Sequence, residues 1–274
     1  MILRLSGADF SANNIGKIDI VREVTYETKE LLANFSKSFT QEQALAVQDF
    51  IGGLKSSGVW AAIGNLYIPI MAGSLSECGF NVKTGENDVT FGEADYVLSD
   101  KGIKLVPTTT NYWNTASKIK VNASQQNLHY GAYNTDSYTG MTQTDAIFGY
   151  ADNVSVLQFG ITAEGKISTK TDNNSSIVTG SANNEGWENP SLKMLVQTTL
   201  GNFINMNGKA GEYGTPIATD NTYTDIPLKL FNVANIWRET YSQYGLLTVG
   251  TAMTREQSEK YAELCGNLMG KLVN

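Results

Sequence analysis

Thr40–Met71, TQEQALAVQDFIGGLKSSGVWAAIGNLYIPIM, decides how the chain is read. Thr40 and Gln43 have the spacing of a capping box, which satisfies two N–H groups that a helix start leaves unpaired. Glu42 in the first turn and Lys55 in the last agree with the helix dipole. Ala44, Val47, Ile51 and Leu54 recur at three- and four-residue steps, and Leu45 and Phe50 widen that stripe. The pattern predicts a helix over 40–56. Gly52 and Gly53 cost about 1 kcal/mol each against Ala inside a helix. They therefore mark early fraying or the close approach of another backbone. Val59–Ile63 makes one further turn. Leu66–Met71 reads as a buried strand interrupted by Pro69, which implies an edge or a bulge.

On the N-terminal side, Ile2, Leu3 and Leu5 precede a turn-rich run of Ser, Gly and Asn. Ile18, Ile20, Val24 and Tyr26 then loosely alternate with polar residues, a short strand pattern. Residues 1–39 are read as an extended arm and residues 40–274 as the domain. On the C-terminal side, Asn81–Gly85 and Asp88–Gly92 look like hairpin pieces, and Tyr96–Val106 like two short strands around Asp100-Lys101-Gly102. From 111 to 250, strand-like runs recur at the spacing of a sandwich or jelly roll. They fall near 118–121, 128–133, 145–149, 154–162, 166–170, 176–179, 192–199, 203–206, 226–232 and 244–250. Asn207-Gly208 is a hairpin signal, and Gly211–Asn221 reads as loop. Thr254 and Gln257 repeat the capping-box spacing before a stripe of Tyr261, Leu264, Cys265, Leu268 and Met269. The two capped helices are expected to pack together or on one side of the sandwich. The fold class is thus mainly β, a β-sandwich or jelly roll flanked by these two helices and preceded by the arm.

Composition narrows the function. The net charge is −7 over 274 residues, and basic residues cluster only as small pairs such as Lys118 with Lys120. Nucleic acid is not an expected partner. Charged residues make up 17%, against about a quarter in ordinary domains, and Asn, Thr, Ser and Gly replace them, which suits exposed strands and turns. Cys78 and Cys265 are too few and too far apart for a disulfide framework, so two free thiols and a reducing compartment are expected. Met1–Phe10 has no apolar signal-peptide core, and no window approaches the length of a membrane span.

The block from Phe50 to Met71, with its LKSSGVWAAIGNLYIPI spacing, resembles the start of a domain found in phage virion proteins. There a capped helix runs into a strand and then a concanavalin-like, laminin-G-type sandwich. The far end of that domain resembles Tyr244–Gly250 followed by Met253–Leu264. This chain carries a longer insert after Ile70–Ser74 than the pattern has. Gly7–Gly16 also resembles the short start of fibre and appendage proteins in crAss-like phages. The resemblance implies an attachment peptide with Asp9, Phe10, Asn13, Asn14 and Ile15 in contact with capsid, portal or tail proteins. It further implies a homotrimer located in the virion and assembled in the host cytoplasm, and a sandwich that binds host surface glycan or protein. A capsid-decoration or tail-collar subunit and a glycan hydrolase are the alternatives. Gly52 and Gly53 are the expected oligomer contact.

No residue set stands out for catalysis. His129 is the sole histidine, no G-x-S-x-G elbow accompanies it, and it reads as a surface or satisfied core residue. Glu164, Glu185 and Glu188 fall in expected loops without the spacing of a carboxylate pair. The Asx clusters Asp172-Asn173-Asn174 and Asp220-Asn221 with Asp225 lack the EF-hand pattern and read as turns. No cofactor or metal is expected. Aromatics on expected loops or strand ends, Trp113, Tyr133, Trp187 and Tyr213, are the candidate ligand-binding platforms.

Overall fold

The computed structural model describes residues 22–91, 96–105, 118–124, 127–137, 145–151, 156–161, 167–170, 178–180, 189–206, 209–213, 222–230 and 243–273. In chain order its helices are α1 (Tyr26–Leu32), α2 (Gln41–Ser56), α3 (Val59–Ala62) and α4 (Arg255–Leu272). The early strands are β1 (Ile63–Tyr67), β2 (Phe80–Asn81), β3 (Glu86–Asn87), β4 (Tyr96–Ser99) and β5 (Gly102–Leu105). Next come β6 (Lys118–Ser124), β7 (Asn127–Asn134), β8 (Asp145–Ala151), β9 (Val156–Ile161), β10 (Ile167–Lys170) and β11 (Val178–Gly180). The last are β12 (Ser191–Thr198), β13 (Gly201–Met206), β14 (Lys209–Tyr213), β15 (Thr222–Leu230) and β16 (Tyr244–Gly250).

Every described strand pair is antiparallel. One layer runs β14-β13-β12-β7-β16-β1-β2-β3, with the β4–β5 hairpin joined to β16 where Tyr244 faces Ile103. β7 meets β6 at Ser124 opposite Asn127, and β6-β15-β8-β9-β10-β11 forms the second run. β6 touches β16 and β1, and β8 touches β7, so the second run folds over the first. The result is a curled antiparallel sandwich with flanking helices, the expected class.

Register assigns each face of the first layer. His129, Gly131 and Tyr133 of β7 share a face with Leu192, Met194 and Val196 of β12 and with Leu246 and Thr248 of β16. On this face lies α4: Asn205 donates to the Ser258 hydroxyl at 3.2 Å, and Arg255 sits 5.6 Å over the Phe203 ring. The opposite face carries Tyr130, Ala132, Leu195, Leu247 and Val249, all buried.

Both expected capping boxes are present, with Thr40 accepting from Gln43 N and Thr254 accepting from Gln257 N, and each glutamine reaching back to its cap. The helices pack together: Phe50 stacks on Tyr261 at 6.4 Å, and Lys271 pairs with Glu42 at 2.6 Å. This fixes the reading of the glycine pair. A Cβ at Gly53 would come 2.5 Å from the Leu264 side chain, so the close approach at Gly53 is to the chain's own α4; Gly52 faces open space. α2 runs on to Ser56, so the pair does not fray it.

Other readings change. The strand pattern through Tyr26 gives way at its end to α1, because Thr25 caps a helix there. Phe35 is buried in the core, Lys37 donates to Ile70 O, and Thr25 N donates to Gln48. Residues 22–39 thus belong with the domain, and residues 1–21, with Asp9, Phe10, Asn13, Asn14 and Ile15, lie outside the described residues. β1 ends at Tyr67 because Pro69, which has no N–H, starts a 3-10 turn over Pro69–Met71. β1 is an inner strand with its irregularity at Ile63/Asn65. β13 pairs with β14 from Met206 opposite Lys209 to Asn202 opposite Tyr213, so part of the expected 211–221 loop is strand, while Asn207-Gly208 lies outside the described residues.

Two glycines give opposite expectations in urea denaturation. Gly52→Ala, on an exposed helix position with free space, raises stability by about 0.5–1 kcal/mol. Gly250→Ala drives a methyl into the Ala62 carbonyl oxygen and to 2.6 Å from Gly64 N, and lowers it by about 1–3 kcal/mol.

Candidate interaction surface

α2 and α4 diverge enough to leave a groove of about 760 Å³ between the first half of α2 and the last turns of α4. Its floor is apolar: Leu45, Ala46 and Phe50 on one wall, Leu264 and Leu268 on the other. Its rim is charged. Lys271 bridges to Glu42, and that hydrogen bond holds the Glu42 carboxyl below its usual range. Arg22 grips both oxygens of Asp49, with 2.6 Å to Oδ2. Gln43 also reaches the Lys271 carbonyl at 3.4 Å, satisfying one of the acceptors that the end of α4 leaves open. Both ion pairs are half exposed or more, so solvent screens them and they serve mainly to fix the rim. An apolar floor with a paired, neutral rim suits a short apolar peptide segment better than an anion or a metal.

The sole histidine is sealed beneath α4. His129 Nδ1 lies 2.5 Å from Thr251 O, which can only accept, so Nδ1 carries the proton and donates. Nε2 then accepts from the Thr248 hydroxyl at 3.1 Å. The Tyr261 hydroxyl of α4 is fully buried beside Cys265 and has no hydrogen-bond partner. Burial drives the His129 pKa down to about 4, outweighing the Thr251 hydrogen bond. The neutral His129 line is a structural lock between β7 and β16, out of reach of substrate. The expected satisfied core histidine is what the structure has.

Of the four candidate platforms, only Tyr133 has a described side chain. Tyr133 is 8% exposed; it faces α4, and burial pushes its hydroxyl up to about 12. No sugar ring can stack on it, which corrects that assignment: β7 is an inner strand, and only its sequence looked like a strand end. Tyr213 closes β14 opposite Asn202. Trp113 and Trp187 lie outside the described residues, as do Glu164, Glu185, Glu188 and the cluster at 172–174. Cys78 and Cys265 are free and buried, as expected, and burial raises the Cys78 thiol to about 12. Among the described residues no helix is long and apolar enough to cross a membrane, and no group of His, Cys, Asp or Glu could hold a metal. The groove and the His129 line escaped the sequence because each joins residues far apart in the chain. The only local hint was that Leu45 lies beside, rather than on, the main stripe of α2.

No family model and no curated protein matches the chain. Solved structures do. A sialidase from Trypanosoma rangeli aligns at TM-score 0.52 and 8% identity, over 80% of this chain and 39% of the sialidase. The same enzyme with difluorosialic acid aligns at 0.51, over 81% and 38%. Domain 4 of an extracellular arabinanase from Geobacillus stearothermophilus, solved with arabinotriose, aligns at 0.45 and 16% identity. The chain spans about two fifths of the length of the sialidases it matches. At these identities the likeness is one of fold.

The His129 line gives stability a pH dependence. The folded-state pKa lies below the ordinary value of about 6.5, so between these values the unfolded chain binds the extra proton. Stability is full above pH 6.5 and falls as pH drops toward 4, by on the order of 3 kcal/mol. A folded His129→Gln chain loses this slope between pH 6.5 and 5, measured by urea midpoints.

Proposed function

We propose that the chain is a virion structural protein of a tailed phage, a fibre or appendage subunit held to the particle by its N-terminal segment. Its sandwich binds host surface glycan or protein through weak contacts multiplied by copy number. The observation that carries this reading is a juxtaposition. The two stretches that resemble the ends of the phage domain form one unit: β1 pairs with β16 from Tyr67–Leu247 to Ile63–Gly250, and α2 packs on α4. A resemblance split between distant stretches of sequence is thus a single piece of structure.

No catalytic step is assigned to the chain. The fold-level likeness to sialidases favours glycan cleavage as the second reading. Three measurements separate the readings. Purified chain binds host cells or a glycan array, and Trp113→Ala or Trp187→Ala lowers the signal at least several-fold. Absence of binding to any host material leaves the capsid-decoration or tail-collar role. Release of reducing sugar from host capsule establishes hydrolysis instead. In particle assembly, Phe10→Ala with Ile15→Ala yields a folded subunit that fails to incorporate; normal incorporation removes the attachment role of the N-terminal segment.

A further inference from the structure

We propose that Trp60, with Lys55 and Lys83 beside it, is a site for a carboxylate-bearing sugar. Three elements build it. α2 ends at Ser56, and Gly58, with a φ of 74°, turns the chain into α3. Lys55 of the last turn of α2 lies over the Trp60 indole, its ammonium 5.8 Å from the ring centroid. Lys83 arrives from the end of β2. The fully buried Asn81 holds its backbone there, accepting from Lys83 N at 3.0 Å. The Lys83 ammonium donates to Trp60 O at 2.7 Å and stands 4.4 Å from the same centroid. Two cations thus converge on one partly exposed aromatic ring, in a chain whose net charge is −7.

The charge at this ring is incompletely balanced. Lys55 pairs with Glu27 of α1, but both side chains are well exposed, and solvent weakens such a pair. Lys83 has no carboxylate partner among the described residues, and Trp60 O takes up only one of its three N–H donors. Partial burial, followed by the nearby charge of Lys55, holds the Lys83 ammonium below its usual range. A negative group accepting from Lys83 relieves that repulsion. A carboxylate's single charge matches the one cation that Glu27 leaves unbalanced, and its two oxygens can accept from both ammoniums. Attached to a sugar, it also brings an apolar CH face to the exposed part of the indole, whose negative face attracts it. A bare anion lacks that second contact, and a neutral sugar lacks the first.

The inference rests on the reading that the chain binds host glycan, and it names the kind of sugar. The test labels the full chain with nitrogen-15 at its four tryptophans and follows their indole signals by magnetic resonance. The signal lost in Trp60→Phe identifies Trp60. Glucuronic acid and N-acetylneuraminic acid are expected to move that signal saturably in the millimolar range, while glucose and acetate at the same concentrations leave it in place. Lys83→Gln weakens the binding roughly tenfold. Glu27→Gln, which removes the competing carboxylate, strengthens it about twofold. The remaining indole signals report that each variant is folded. An equal response to acetate overturns the proposal in favour of a bare anion site, and an equal response to glucose overturns the role of the charge. No movement with either acidic sugar, or an affinity indifferent to Lys83→Gln, overturns it outright. Failure here is distinct from failure of the host-glycan reading. Array binding to neutral glycans with a silent Trp60 removes this site and keeps that reading. A Trp60 response without binding to any host material removes that reading and keeps the site.

Discussion

The pairing of β16 with β7 and β1 is the constraint on which the remaining structure depends. Tyr244, Leu246, Leu247, Thr248 and Val249 are all at most 1% exposed, so this strand is fully enclosed. Burying each of its aliphatic side chains contributes about 1.5–3 kcal/mol. Its partners come from the beginning and the middle of the domain, so the first layer cannot close until nearly all of the chain is available. The entropy of closing such long loops grows only slowly with length, roughly 0.6 kcal/mol for each doubling. The cost appears in rate instead, since distant antiparallel pairings form late. α4 follows β16 after a four-residue link and immediately covers the face that β16 completes.

That face is sealed by polar as well as apolar contacts. Thr251 O, His129 and Thr248 form a line from a strand end into the sheet, and each of its two hydrogen bonds has a defined direction, while the Tyr261 hydroxyl of α4 is buried without a hydrogen-bond partner. The opposite face contains a different device. Lys193, fully buried, is held by Asn134 Oδ1, by Asn189 O at 3.0 Å and by Ser191 Oγ at 2.8 Å. Three acceptors match the three donors of an ammonium group. Gln197, two pleats along the same strand face, has neither amide atom paired among the described residues, which costs about 1–3 kcal/mol. β12 thus carries a satisfied and an unsatisfied polar group into the same interior, and the apolar partners around them supply the compensating stability.

The sequence made the elements legible and left their partners hidden. Both capped helices could be read from Thr40, Gln43, Thr254 and Gln257 because capping is local, closed within three residues. The strands from β6 to β13 could be read because alternation needs only one chain segment. Gly53 could be recognised as a place of close approach, but whether the approaching group was Leu264 or another subunit is a tertiary fact with no local signature. Tyr133 failed for the same reason: a tyrosine near a strand end reads alike whether it faces solvent or a helix laid across the sheet. α1 was missed because seven residues carry too short a period to outweigh the apparent alternation before it. The groove left only the position of Leu45 beside the α2 stripe as a linear hint, since its two walls lie more than two hundred residues apart.

Arg22 and Lys271, far apart in sequence, line the same groove on the helical side of the first layer. The second run of strands, β6 with β15 through β11, joins the first layer at β7 and touches it at β16 and β1, and none of its strands lines that groove. The helix pair is instead tied to the first layer alone, through Asn205 on Ser258 and Arg255 over Phe203. A change in the second run that leaves β6 in place therefore leaves the helix pair, the groove and the β1–β16 pairing with every contact that defines them.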